Sequence, residues 1–173
     1  MNERLIRKYQ NTLMVAGRGI VLLGLWNIAK VFVFFLGGSD FFLRLEISQE
    51  LYQEITKMEG GYKIVNVVFT CIMLLVLTVD LIFRIVIAKS AAAEANGQDK
   101  SCAYIVIAII MLCIMCSGDT ALAIEAKEGL MKVEYIISTV VEFTSVYALC
   151  DLINAAIRLR LLRKKCSEAE NAG

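Results

Sequence analysis

The sequence predicts an all-α integral membrane protein, a bundle of four transmembrane helices with both termini in the cytoplasm and an amphipathic helix in the first external connection. Hydrophobic residues make up 58% of the 173-residue chain, above the share of about 45–50% that is typical of a soluble domain. Four stretches are apolar enough to cross a hydrocarbon core of about 30 Å. Lysine and arginine concentrate in alternate connections, and the chain has no proline to break a helix.

The first apolar run follows a polar and basic N-terminal segment, residues 1–17. A basic start before an apolar run is also typical of a signal peptide. Here the run, residues 18–38, nearly reaches span length, and no convincing cleavage pattern of small residues follows it. We therefore interpret it as a retained first transmembrane helix.

The connection after the first span, residues 39–61, has a helical pattern of its own. Its apolar side chains recur at helical spacing with glutamates between them, which is the pattern of an amphipathic helix. Gly60 and Gly61 follow this pattern and supply a left-handed stop. We expect the helix to lie on the membrane surface or to cover the mouth of the bundle.

Three further spans are predicted from the remaining apolar runs, at residues 62–88, 102–124 and 134–157. The second span carries no charge from residue 64 to residue 79, and it can satisfy its backbone hydrogen bonds in a bilayer only as a helix. A polar loop with the turn signal Asn96-Gly97 precedes the third span. The chain is thus divided into a cytoplasmic basic segment, a four-helix transmembrane domain and a disordered cytoplasmic tail, residues 1–17, 18–162 and 163–173.

The distribution of charge predicts the topology. Most lysines and arginines lie in the N-terminal segment, in the loop between the second and third spans and in the C-terminal tail, whereas the other two connections are rich in aspartate and glutamate. Because cytoplasmic loops carry the Lys/Arg excess, both termini are expected inside. Four spans satisfy that requirement, and we expect a multi-pass protein of the bacterial cytoplasmic membrane.

The composition narrows the chemistry. The chain has no histidine, which removes the commonest general base and the commonest zinc ligand. Most of the six cysteines lie in predicted spans, where they are expected to act as small hydrophobic residues. We therefore expect no enzyme activity, no cofactor and no metal site. A weak alternative is a membrane thiol oxidoreductase that uses the CxxC pair Cys113 and Cys116, although the second cysteine pair of such enzymes, in an external loop, is missing.

Ionisable residues inside or at the edges of the predicted spans are Lys30, Asp80, Arg84, Glu142, Asp151 and Arg158. A charge near the bilayer centre costs at least about 2.5–3.5 kcal/mol, so it usually faces a partner or a water-filled cavity. At about 1.5 Å of rise per residue, Lys30 and Glu142 lie level, and we expect them to pair between the first and fourth helices. Asp80 and Arg84 are four residues apart and can pair on one helical face. The residues that share a face with Asp151 are Thr144, Tyr147, Asn154 and Arg158.

These charges have a functional and a structural interpretation. They form either an ion or proton pathway or a set of interhelical contacts that hold the bundle together. Polar groups on two sides of the fourth helix favour a homo-oligomer, because one helix then needs two neighbours. The residues predicted to dock anionic lipid or a protein partner are Arg160, Arg163, Lys164 and Lys165.

The sequence is compatible with two classes of function. The first is a non-enzymatic membrane sensor, anchor or assembly subunit that homo-oligomerises and engages a cytosolic or membrane partner. The alternative is a small ion or proton channel or transporter, whose intramembrane residues would be Lys30, Asp80, Glu142 and Asp151. We favour the first, because transporter sites usually show Gly/Pro interruptions in paired spans. Membrane lipid is an expected partner of either class, and nucleic acid is not.

Overall fold

The structure is a computed structural model that describes residues 2–36, 61–98, 101–125 and 133–171. The helices of this part of the chain are α1 (Asn2–Leu36), α2 (Gly61–Ala95), α3 (Ala103–Glu125) and α4 (Val133–Asn171). The predicted all-α class is therefore confirmed. The amphipathic helix predicted between the first two spans lies outside the described residues, apart from Gly61, which begins α2.

Three of the helices are long and apolar enough to cross a membrane, over Glu3–Val33, Val67–Ala95 and Thr139–Glu168. The described apolar part of α3 is shorter, Ala103–Cys116. Large hydrophobic side chains also face outward on several helices, with Leu22 66% and Leu75 65% exposed. Such a surface is unfavourable in water and is compatible with lipid. The structure thus supports membrane association.

By its internal contacts the chain divides into two units, Met1–Leu23 with Phe83–Gly173 and, separately, Gly24–Ile82. The first unit is a helical bundle made of the start of α1, the end of α2, and the whole of α3 and α4. The second unit consists of the remaining parts of α1 and α2, in which Val31 and Thr70 are buried.

The core of the first unit combines branched side chains with many alanines. Its buried members include Ala91, Ala108 and Ala155, and α3 packs directly against α4. Gly17 of α1 lies so close to α2 that a Cβ added there would be 3.4 Å from the Cα of Ala88. Small residues at these positions let the helix backbones approach closely, which is how helices associate when lipid surrounds them.

The second helix is longer than predicted. The predicted second span, residues 62–88, was followed by a loop, whereas α2 continues through Lys89 to Ala95. The helix continues for a local and a tertiary reason. Alanine is the strongest helix former, and both Ala91 and Ala95 are buried in the core. The predicted turn at Asn96-Gly97 is confirmed, because Gly97 has a φ of 89° and ends the helix.

The C-terminal tail also differs from the prediction. Residues 163–173 were expected to be disordered, whereas α4 stays helical to Asn171. The sequence after the fourth span keeps good helix formers, including lysine, arginine, glutamate and alanine, and contains no proline. Helical lysine and glutamate four residues apart also attract each other, as Lys164 and Glu168 do at 3.9 Å. The basic residues of this segment therefore stand on a helix.

Candidate functional site

A buried carboxylate lies at the end of α2, where the sequence predicted a surface loop. Glu94 is 2% exposed and occupies the last turn of the helix. The helix ends in a Schellman motif just beyond it: the Gly97 amide donates to the Glu94 carbonyl at 3.1 Å, and the Gln98 amide donates to the Ala93 carbonyl at 3.0 Å. This ending sets where the Glu94 side chain leaves the helix.

Arg160 of α4 holds the Glu94 carboxylate with two roughly parallel hydrogen bonds. Its Nε donates to Oε1 at 2.7 Å, and its Nη2 donates to Oε2 at 2.5 Å. Such a bidentate pair constrains the direction of both side chains, which a lysine could not do. The Arg160 side chain is 27% exposed, so only the acidic partner is fully removed from water. The pair therefore connects the end of α2 to α4.

Tyr104, in the first turn of α3, completes the coordination of the carboxylate. Its hydroxyl donates to Oε2 of Glu94 at 2.8 Å, and its ring is 3% exposed. The guanidinium carbon of Arg160 lies 5.7 Å from the centre of the same ring, within the range of a cation–π contact. Glu94, Tyr104 and Arg160 thus form one network that joins three helices, and we call these three residues the Glu94 cluster.

Further contacts connect the Glu94 cluster to the turn between α2 and α3. Arg163 donates from Nη2 to the backbone carbonyl of Glu94 at 2.8 Å, and so satisfies a carbonyl at the helix end. Arg160 also reaches the carbonyl of Ser101 at 3.4 Å and contacts the thiol of Cys102. A cation beside a helix C-terminus is favoured by the helix dipole. The turn is therefore held from α4 by two arginines.

The arrangement is suited to fixing helix ends rather than to acid–base catalysis. Both oxygens of Glu94 accept hydrogen bonds, and two of the three donors come from a guanidinium that stays protonated in proteins. Hydrogen bonds to a charged group contribute about 1.5–3 kcal/mol each, against which the burial of the carboxylate must be set. The net effect is specificity, since another packing of these helices would leave a buried charge unpaired.

The charges predicted within the spans fall in different surroundings. Lys30, Asp80 and Glu142 are half-buried and each makes an interaction within the chain. Arg84 is 2% exposed, and its Nη2 lies 3.6 Å from the sulfur of Met115. The proposed pairs of Lys30 with Glu142 and of Asp80 with Arg84 stay predictions.

The predicted docking residues separate into two kinds. Arg160 and Arg163 are engaged with Glu94, whereas Lys164 and Lys165 are exposed on the next turn of α4. Asp151 is half-buried, and Arg158 is exposed two residues before Arg160. Docking of a lipid or protein to this segment stays a prediction, and the two lysines are the members left facing outward.

The cysteines show no arrangement that selects a redox centre. Cys113 and Cys116 are exposed free thiols on α3, as is Cys102 in the turn before it. Within the described ranges, no group of three or more His, Cys, Asp or Glu residues is placed to hold a metal ion. The expectations of no cofactor, no metal and no enzyme activity stay predictions.

Sequence reasoning missed Glu94 and Tyr104. Glu94 looked like part of a polar loop, and Tyr104 looked like an aromatic residue at the edge of a span. One signal was present: Glu94 stands among alanines, directly before the Asn96-Gly97 turn, in a connection otherwise assigned as basic. An acid in that position needs a cation, and the C-terminal segment is rich in arginine.

In comparisons with known proteins, no family model, no curated protein and no solved structure matches the chain.

Proposed function

We propose that this chain is a non-enzymatic, multi-pass membrane sensor, anchor or assembly subunit, which homo-oligomerises and engages a protein partner at its cytoplasmic surface. The observation that carries the proposal is the Glu94 cluster, which ties α2, α3 and α4 together at one end of the bundle. A cluster with every carboxylate oxygen occupied favours a rigid support over a reaction site. The same end of the bundle carries the exposed Lys164 and Lys165.

The length of α4 supports a docking role for that end. The helix has 39 residues and, at about 1.5 Å per residue, extends about 58 Å, well beyond a hydrocarbon core of about 30 Å. Its last turns therefore project from the membrane as a helix whose base is held by Arg160 and Arg163. A segment that is already helical loses less conformational entropy when a partner binds to it.

The topology on which this proposal depends comes from charge. Both termini are assigned to the cytoplasm by their Lys/Arg excess, and with four spans in a bacterial cytoplasmic membrane the turn between α2 and α3 is then on the same side. α3 has 23 residues and, at about 1.5 Å per residue, is long enough to serve as the remaining span. The predicted amphipathic helix would then cover the outer end.

The test is the mass and composition of the complex that is extracted at near-native expression. A stoichiometric soluble partner is expected, and it should be lost from the double variant Lys164→Gln/Lys165→Gln. The matched control is Arg4→Gln/Arg7→Gln, which removes the same charge from exposed positions of α1. A partner retained by the first variant would contradict docking at α4, and equal loss from both would indicate a general charge effect.

The alternative, a small channel or transporter, is favoured by one observation. Arg84 is buried within the candidate span Val67–Ala95, where an ionised side chain is costly and often functional. The residues predicted to form the pathway are Lys30, Asp80, Glu142 and Asp151. Ion flux in proteoliposomes that disappears in Glu142→Gln would favour this alternative over the assembly role.

A further inference from the structure

The fourth helix carries a polar seam on its outer surface. Starting at Val140, exposed residues follow one another at alternating spacings of four and three, which is the 3.5-residue period of a helix that packs lengthwise on another. Asp151 is the half-buried member of the seam. The other exposed members are Val140, Thr144, Tyr147, Asn154 and Arg158. Among the described helices of the first unit, none covers the exposed members of this seam.

The first helix carries a matching stripe beside the seam. Its exposed members also alternate at spacings of three and four, and they are Lys8, Asn11, Val15, Arg18 and Leu22. Between stripe and seam lies an open groove of about 580 Å³, lined on its two sides by residues that include Ala16 and Ala148. Gly19 also lines it, and a Cβ added at Gly19 would meet no atom within 4 Å. The groove is therefore open at Gly19 and can receive side chains of another helix.

Part of this surface lies at bilayer depth, where it needs a cover. Asp151 is seventeen residues past Glu134 at the predicted outer edge, about 25 Å into a core of about 30 Å. The Thr144 hydroxyl is satisfied by the Val140 carbonyl at 2.7 Å. Asp151 and Arg18, in contrast, make no hydrogen bond or ion pair with any other described residue. Asp151 lines the groove, whereas Arg18, of opposite charge, belongs to the exposed stripe on α1 beside it.

We propose that a second copy of this chain occupies the groove. The two copies stand parallel about a twofold axis along the membrane normal, so that α4 of each copy lies in the groove of the other. Arg18 of each copy then meets Asp151 of the other, so the Arg18–Asp151 pair occurs twice in one symmetric interface. This inference rests on the homo-oligomerisation in the proposed function, and it assigns the surface that mediates it.

A second copy fits this surface better than a lipid does. The surface carries both signs of charge, with Asp151 in the lining of the groove and Arg18 on the α1 stripe that borders it, so it is complementary to itself. The seam and the stripe repeat with the period of helix packing, which an acyl chain does not require. A lipid headgroup would compensate the charges at one level of the groove only.

The test uses two charge-reversed chains, Arg18→Glu and Asp151→Lys, labelled differently and reconstituted in bilayers, with the dimer fraction measured by single-molecule fluorescence. Each variant alone brings like charges together twice, so its dimerisation is expected to be about 100-fold weaker than that of the unchanged chain. In the mixture, one copy's Arg18 meets Asp151 and the reversed residues meet each other. Heterodimers are therefore expected to form within about tenfold of the original affinity.

Gly19→Leu provides a second variant that carries no charge. The leucine projects into the groove and is expected to abolish dimerisation, whereas its Cβ meets no atom within 4 Å in its own chain. The matched control is Val106→Leu, at a position on α3 that is 53% exposed and outside the seam and the groove. This control should dimerise as the unchanged chain does.

Each contrary result has a distinct meaning. Dimers that persist in both single charge variants and in Gly19→Leu would overturn this interface while leaving the homo-oligomer of the proposed function in place. Loss in the single variants without recovery in the mixture would overturn the pairing and indicate a lipid or a different protein in the groove. An unchanged chain that stays monomeric in bilayers would contradict both the interface and the homo-oligomer.

Discussion

The guanidinium of Arg160 holds the carboxylate of Glu94 through two hydrogen bonds, 2.7 Å from Nε to Oε1 and 2.5 Å from Nη2 to Oε2, across 66 residues of sequence. The acid is buried and the base is partly exposed. A contact of this kind converts the ends of two distant helices into one unit.

Neutralising the buried acid should destabilise the bundle. Glu94→Gln leaves Arg160 without its counter-charge, and we expect the free energy of unfolding to fall by about 1–3 kcal/mol, because the arginine can still reach water. Unfolding by SDS titration in mixed micelles measures the change. Glu168→Gln is the matched control: its 3.9 Å pair with Lys164 is exposed, so we expect a change within about 0.5 kcal/mol. Equal effects at the two positions would contradict a special role for Glu94.

The tyrosine hydroxyl should depend on the same acid. Tyr104→Phe removes one hydrogen bond and keeps the ring, so a loss of about 1 kcal/mol in unfolding free energy is expected. In the double variant with Glu94→Gln this loss should shrink, because the acceptor has already changed. A double-mutant cycle on unfolding free energies gives the coupling, expected at about 0.5–1 kcal/mol. Strict additivity would mean that the hydroxyl acts independently of the carboxylate.

The turn after α2 should tolerate asparagine better than alanine. Gly97 has a φ of 89°, a left-handed conformation that costs an ordinary residue about 1–2 kcal/mol, whereas asparagine adopts it more readily. The added Cβ meets no atom within 4 Å, so the backbone alone decides the result. Thermal unfolding of Gly97→Ala and Gly97→Asn measures the difference. Equal melting temperatures for the two variants would argue against the left-handed ending.

Gly17 and Gly19, which are two residues apart in α1, should respond oppositely to a large side chain. At Gly17 a Cβ would already be 3.4 Å from Ala88 Cα, so Gly17→Leu is expected to separate α1 from α2 and cost about 1–3 kcal/mol. At Gly19 the space is open, so Gly19→Leu should leave unfolding free energy unchanged or higher, because leucine is the better helix former. The unfolding free energies of both variants are measured in dilute detergent, where the chains are separated from one another. A stable Gly17→Leu would contradict the close approach.

The topology can be tested with the native thiols. In a variant whose other four cysteines are serine, Cys102 and Cys166 should both react with a membrane-impermeant maleimide from the cytoplasmic side only. Cys102 precedes α3 and Cys166 lies near the end of α4, so two crossings return the chain to the side from which it started. Labelling from opposite sides would show that only one of these helices crosses. The control is a second variant that keeps Cys113 and Cys116 and has serine at the other four positions; these thiols are expected to react slowly from either side, because they lie in the predicted third span, out of reach of an impermeant reagent.

Much of the fold could be predicted because its causes are local. The helices α1, α3 and α4 follow from long apolar runs without proline, and the end of α2 follows from the Asn96-Gly97 turn signal. The exact length of α2 could not be predicted, because the hydropathy of the alanine segment before the turn favours neither helix nor loop. The segment becomes helical through burial of Ala91 and Ala95. The C-terminal segment was missed for a related reason: its charge suggested disorder, but charge does not oppose a helix that continues from a span.

By itself, therefore, the sequence determined an all-helical chain that associates with the membrane, because hydrophobicity and helix propensity act over a few turns and can be read along the chain. Only the tertiary structure decided that Glu94 is buried and that Arg160 and Arg163 bind it. It also decided that Asp151 and Arg18 of the same chain do not pair with each other. These outcomes depend on which helix faces meet. Glu94 and Arg160, separated by 66 positions, become neighbours only when α2, α3 and α4 pack, so no local sequence pattern predicts their contact.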